Sequence, residues 1–238
     1  MFDLAGMRGS AEAHRGGRAL KSIIAGIIAV AALGATAAPS WAGVKSMIVV
    51  DAYSGRVIRA YNADASHPPA SLAKMMTLYL TFEALKKGKL RWNQRVPVSR
   101  HAATRMPSKI YLKPGQRVRV RDLVYATAVK SANDAAAVLA EAIAGSEFRF
   151  AQLMTKRAHQ IGMKSTYFGT ASGLPARGQR TTARDMDRLG RALIVHHTKY
   201  YHIFKTRYFR YGRRTYASTN RLLRRGWGGI DGIKTGYT

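Results

Sequence analysis

Residues 68–77 read Pro68-Pro69-Ala70-Ser71-Leu72-Ala73-Lys74-Met75-Met76-Thr77. A serine stands three residues before a lysine, at the head of an apolar run that continues through Leu78, Tyr79, Leu80, Phe82 and Leu85. The paired prolines oppose helix on their N-terminal side, so a helix is expected to open at or just before Ser71 and to stop at Lys86-Lys87-Gly88. Side chains at i and i+3 share a helix face one turn apart, which puts the lysine amine within reach of the serine hydroxyl. A serine hydroxyl becomes a competent nucleophile when a neighbouring base takes its proton. Lysine can be that base once burial or a second cation lowers its pKa. The pattern therefore calls for a buried cleft, a second cation and donors for a substrate carbonyl. The plainer reading is a helix cap at Ser71 above a core face of Leu72, Met75, Met76 and Tyr79.

Two further stretches weigh against the plain reading. No other serine in the chain has a lysine three residues on, and Ser131-Ala132-Asn133 and then Lys234-Thr235-Gly236 follow in order. Ser-x-x-Lys, Ser-x-Asn and Lys-Thr-Gly together supply a nucleophile with its base, a polar pair and a second cation. Ser218-Thr219-Asn220 also fits Ser-x-Asn, but it lies close before Lys234, where its asparagine is expected to support a turn. Asp134 is read as the start and cap of the following helix.

Composition narrows the chemistry. The chain has 238 residues, 47% of them hydrophobic, which is enough for one sizeable domain in two lobes. There is no cysteine, so neither a thiol nucleophile nor a disulfide nor a cysteine-ligated zinc is available. The histidines show no His-Glu-x-x-His spacing, which argues against a zinc peptidase; His196-His197 reads as helix-end surface. No cofactor or metal is required.

The formal net charge of +28 attracts polyanions through its long-range field. Residues 1–42 resemble an export signal. Arg8, Arg15, Arg18 and Lys21 form a basic n-region, residues 23–33 are apolar, and Ser40-Trp41-Ala42 is a small-x-small cleavage site. An uncleaved anchor is the alternative, but the apolar run is shorter than the ~20 residues a span needs. An exported protein would meet anionic wall polymers or a membrane surface as its polyanionic partners, and no nucleic acid.

From Gly43 onward, Met47-Ile48-Val49-Val50 and Val57-Ile58-Arg59-Ala60-Tyr61 flank turn residues and predict a hairpin. Residues 91–121 are read as loops and short strands. Residues 122–129 are expected to form a helix with Asp122 at its N-cap, and residues 135–144 an alanine-rich helix, leaving Ser131-Ala132-Asn133 in a loop between the two. Residues 148–161 and 182–193 are expected to be helices, residues 208–214 strand and turn, and residues 230–236 a strand that enters the site.

Ala70-Ser71-Leu72-Ala73-Lys74-Met75-Met76-Thr77, Ser131-Ala132-Asn133-Asp134-Ala135-Ala136, Gly162-Met163-Lys164-Ser165-Thr166-Tyr167-Phe168, Thr182-Ala183-Arg184-Asp185-Met186 and the stretch from Gly229 to Thr238 together resemble the D-alanyl-D-alanine carboxypeptidases, the low-molecular-mass penicillin-binding proteins. The resemblance implies an α+β fold of the β-lactamase/transpeptidase-like type, in which an antiparallel sheet with flanking helices packs on an all-helical lobe and the site lies between them. It implies that Ser71 attacks the substrate carbonyl, that Lys74 takes its proton, and that Ser131 relays a proton to the leaving group. It further assigns Asn133, Lys234, Thr235, Gly236 and Tyr237 to substrate binding, with the Ser71 and Tyr237 N–H groups as the oxyanion hole. Peptidoglycan stem peptides are the implied substrates, and β-lactams the covalent inhibitors.

Three rival readings share features with this one. A class A β-lactamase would need a deacylating glutamate after the second motif, and no glutamate follows Glu147. A DD-endopeptidase shares the motifs, and a non-catalytic basic wall-binding protein would keep the fold alone. The chain stops at Thr238, two residues past the third motif, so residues 43–238 are expected to be a catalytic domain that is incomplete at its C-terminus.

Overall fold

The Asp51 carboxylate closes the first turn by accepting the N–H and the hydroxyl of Ser54, both at 2.7 Å. That turn joins β1 (Met47–Val50) to β2 (Val57–Tyr61) as the expected antiparallel hairpin, with an irregularity between Val49 and Val50. The computed structural model describes residues 43–237, which form one unit from Lys45 onward. The export signal read over residues 1–42 lies outside the described residues.

After a short 3-10 turn at Ala70–Leu72, helix α1 (Ala73–Lys86) begins where the prolines allow it. Its sequence is apolar on every side, and a helix of that kind belongs inside the protein. Every residue from Ala73 to Phe82 is buried. The hairpin of β3 (Arg95–Pro97) and β4 (Arg117–Arg119) pairs Val96 with Val118. Between these strands lies α2 (Arg100–Ala103), capped by the Ser99 hydroxyl.

Strand β4 feeds directly into α3 (Val120–Tyr125), so the helix opens two residues earlier than expected. Arg119 holds the N-cap position, and Asp122 lies in the first turn instead. The helix then widens into a π-helical turn at Ala126–Lys130, a distortion often found at functional sites. This turn ends at Ser131.

Helix α4 (Asn133–Ala144) presents Ala135, Ala136, Ala137 and Ala140, all fully buried, toward the core. Such small side chains let helices approach closely, and α4 packs against α1. Helices α5 (Glu147–Gln160), capped by Ser146, and α6 (Ala183–His196), capped by Thr182, also contact α1. Beyond α6 come α7 (Thr198–Tyr201), the hairpin of β5 (Tyr208–Tyr211) with β6 (Arg214–Ala217), and α8 (Arg221–Arg225).

The structure departs from the sequence expectations in further places. Among the described residues the strands form three separate antiparallel pairs, and residues 230–236 are irregular backbone where a strand was expected. A strand exists through its ladder, and this segment pairs with no strand among the described residues. His197 is buried, not on the surface, with its ring edge-on to Tyr79 at 4.5 Å between centroids. Asp134 does more than open α4: its carboxylate also accepts the N–H groups of Ile110 and Leu112. No helix among the described residues is long and apolar enough to cross a membrane.

Candidate active site

The bend before α1 is tight. Ala70 adopts φ 45° and delivers Ser71 to the end of the helix, while Lys74 sits one turn in. Lys74 is completely buried, and its Nζ lies 3.0 Å from Ser71 Oγ and 2.6 Å from the Ser172 carbonyl oxygen. Burial first, and the charge of Lys234 second, push the Lys74 amine well below the ordinary lysine range, with Glu147 opposing them. Both influences disfavour a proton on Nζ. The second cation called for by the Ser-x-x-Lys spacing is therefore close enough to matter.

A strap from Ala171 to Leu174 forms the acceptor side of this arrangement. Thr77 Oγ1 donates to the Ala171 carbonyl at 2.6 Å, and the Ala171 N–H donates to Glu147 at 3.1 Å. Glu147 is itself held by His101 and Arg105, each at 2.7 Å. Ser172 and Gly173 were not foreseen as site residues. The Ser-Gly-Leu-Pro turn at residues 172–175 was their only local trace.

The second motif enters from the π-helical turn. Ser131 takes φ 61°, a left-handed conformation that is uncommon for a non-glycine residue and worth noting at a site. Its hydroxyl is buried and has no hydrogen-bond partner. Buried polar atoms are nearly always paired, so this hydroxyl is available to a bound molecule. Asn133 donates from Nδ2 to the Met106 carbonyl and from its backbone N–H to the Ser108 carbonyl, both at 2.7 Å.

The third motif closes the opposite wall. Lys234 Nζ donates to the Thr235 carbonyl at 2.8 Å, and burial lowers its pKa to about 8. Thr235 Oγ1 donates to Thr219 Oγ1 at 2.8 Å. The stretch 218–220 thus has two parts in the structure. Asn220 caps α8 as a turn residue should, whereas Thr219, not singled out from sequence, lines the cleft. A β-carbon on Gly236 would stand 3.2 Å from Leu72 Cγ, so this backbone passes close to the nucleophile turn.

These walls enclose a cleft of about 360 Å3, lined by Ser71, Ser131, Asn133, Thr235, Gly236 and Tyr237 of the predicted set, together with Ser172 and Thr219. Lys74 lies beneath Ser71, and Lys234 adjoins Thr235. A larger cavity of about 600 Å3 opens beside β1 and α6, but its lining is mostly apolar and includes none of the predicted site residues. The smaller cleft has the chemistry: a nucleophile, a buried amine poised to be neutral, an unpaired hydroxyl and a lysine suited to an anion.

The chain is similar to proteins already known. The family described as D-alanyl-D-alanine carboxypeptidase matches residues 34–238. The D-alanyl-D-alanine carboxypeptidase DacC of Escherichia coli is 40% identical over 200 residues, which cover 82% of this chain and 50% of that protein. Penicillin binding protein 5 from Haemophilus influenzae superposes with a TM-score of 0.78 at 35% identity, covering 81% of this chain and 57% of that one. The ampicillin-bound penicillin-binding protein D2 of Listeria monocytogenes gives a TM-score of 0.70 at 32% identity, covering 81% of this chain and 78% of that one. The chain spans about half the length of the curated relatives it matches.

Proposed function

This chain belongs to the D-alanyl-D-alanine carboxypeptidase family, and from that premise we propose that it carries the catalytic centre of a serine-type peptidase that removes the terminal D-alanine of peptidoglycan stem peptides. The observation that carries the reading is the fully buried Lys74 amine 3.0 Å from Ser71 Oγ, under a cleft lined by the other two motifs.

Neutral Lys74 accepts the Ser71 proton as Oγ bonds to the carbonyl carbon of the penultimate D-alanine. The oxyanion takes hydrogen bonds from the N–H groups of Ser71 and Tyr237, a kind of stabilisation worth about 3 kcal/mol per donor at other such holes. The C–N bond then breaks, and the leaving D-alanine nitrogen receives its proton by way of Ser131. Water hydrolyses the ester and restores the Ser71 hydroxyl. Lys234 and Thr235 receive the terminal carboxylate. Asn133 has its amide nitrogen committed to Met106, so its carbonyl oxygen is the atom that serves the peptide backbone of the substrate. β-Lactams, whose amide carbonyl and carboxylate mimic this peptide end, acylate the same serine.

Export by residues 1–42 would deliver the enzyme to the periplasm or cell envelope. There the excess of basic side chains favours an anionic wall polymer or membrane surface as a neighbour.

The test is intact mass after incubation with benzylpenicillin, beside a Ser71→Ala control. An adduct on the unsubstituted chain alone is expected. Absence of an adduct on folded protein would overturn the reading.

A further inference from the structure

Residues 205–230 carry eight lysines and arginines and no aspartate or glutamate. All eight are exposed. Lys205 approaches the Asp231 carboxylate at 4.0 Å, and none of the seven arginines has an ion pair among the described residues. Like charges gathered on one surface repel one another, and an anionic partner relieves that repulsion.

The hairpin of β5 and β6 and the short helix α8 are joined into one surface. The Ser218 N–H donates to the Arg207 carbonyl at 2.7 Å, and Arg224 Nη1 donates to the Ser218 carbonyl at 3.0 Å. A β-carbon on Gly226, which ends α8, would stand 3.5 Å from Arg207 Nη1. Phe209 turns inward and stacks on Tyr125 with 5.8 Å between centroids, so its neighbours Tyr208 and Arg210 face outward. Tyr208 is 60% exposed, Trp227 58% and Leu222 41%. Large apolar side chains therefore stand among the arginines. A soluble polyanion would pair with the charges and leave these side chains in water. A phospholipid surface meets both: guanidinium groups grip phosphates bidentately, and tyrosine and tryptophan settle at the headgroup level.

We propose that the β5–β6 hairpin and α8 form a docking surface for a bilayer rich in anionic phospholipid. The arginines meet the lipid phosphates while Tyr208, Leu222 and Trp227 enter the headgroup layer. The inference rests on the reading of an anionic neighbour given above and commits it to a partner and to these residues. Thr219, between β6 and α8, lines the cleft of Ser71, so docking here would hold that cleft beside the bilayer.

The experiment sediments the full chain with vesicles of phosphatidylcholine alone or of phosphatidylcholine and phosphatidylglycerol in equal parts. The apolar residues 23–33 act on both vesicles alike, so the ratio of the two partition coefficients reports the charged surface. Arg213→Gln with Arg221→Gln and Arg225→Gln is expected to lower that ratio at least about tenfold, and lysine at the same three positions to retain it. Lys87→Gln with Lys89→Gln and Lys156→Gln removes the same charge from exposed positions elsewhere and should lower it less than about threefold. Leu222→Ala with Trp227→Ala should weaken binding to the anionic vesicles severalfold and leave binding of a soluble polyphosphate unchanged. Circular dichroism checks that each variant is folded. Equal losses in the arginine and lysine sets would overturn this surface while the anionic neighbour stands. A ratio near one in the unsubstituted chain, with or without binding of an oligonucleotide, would overturn both. Undiminished vesicle binding in the Leu222 and Trp227 variant would overturn the bilayer in favour of a soluble polyanion.

Discussion

Gly173 passes so close to Ala70 that a β-carbon built on it would stand 1.6 Å from the Ala70 carbonyl oxygen. The contact joins the strap carrying the Lys74 acceptor to the bend that presents Ser71. Gly173 also takes φ 79°, which disfavours any side chain there. Gly173→Ala is therefore expected to cost at least about 3 kcal/mol, among the severe single substitutions, and to abolish benzylpenicillin labelling in whatever fraction folds. Gly145→Ala is the control. It has a similar φ of 78° but open space around the new methyl, and should cost about 1 kcal/mol with labelling intact. Equal denaturation midpoints for the two variants would refute the steric account.

Glu147 acts on Lys74 without touching it. It anchors the strap through the Ala171 N–H and raises the proton affinity of Lys74 by its charge. Glu147→Gln leaves a near-isosteric acceptor but removes the charge that faces His101 and Arg105. Stability should fall by about 2–3 kcal/mol, as when a buried charged network loses a partner. The acid limb of the labelling rate should also move to lower pH, since Lys74 would then lose its proton more readily. A purely structural role predicts the first effect and no movement of the limb.

The motif residues were legible because their arrangement is local. Ser71 and Lys74 meet through helix spacing alone, and Ser131 and Asn133 stand where one helix ends and another begins. Ser172 and Thr219 were hidden because they reach the cleft only through tertiary contacts, across 98 residues in the bond from Lys74 to Ser172. The strand expected over residues 230–236 failed for a related reason: a local sequence can permit a strand, but only a neighbouring ladder makes one. His197 misled because a histidine at a helix end is usually solvated, whereas here Tyr79 and Phe82 enclose it.

The proposed mechanism requires Lys74 neutral while Lys234 is charged, so it requires the Lys74 pKa to lie below that of Lys234. Burial lowers both amines, and the neighbouring Lys234 charge lowers Lys74 further, which favours that order. The benzylpenicillin acylation rate should therefore follow a bell, rising as Lys74 loses its proton and falling as Lys234 loses its own near pH 8. Lys234→Arg keeps a charge throughout this range, so its alkaline limb should vanish even if the overall rate drops. A limb near pH 8 that survives in the arginine variant would assign it to another group.

His197 sets an acid limit on the fold. Both ring nitrogens are buried without a hydrogen-bond partner, and burial, with nearby His196, Lys86 and Arg157, lowers its pKa from 6.5 to about 4. In the unfolded chain the ring takes up a proton near pH 6.5, whereas in the folded protein it resists until about pH 4. Between those values the unfolded state binds more protons, so stability falls as the pH is lowered through that window and is unaffected by this group above it. His197→Phe should retain the edge contacts with Tyr79 and remove the proton uptake, giving a melting temperature that declines less from pH 6.5 to 4. Parallel declines in the two proteins, measured by thermal denaturation across that range, would place the acid sensitivity elsewhere.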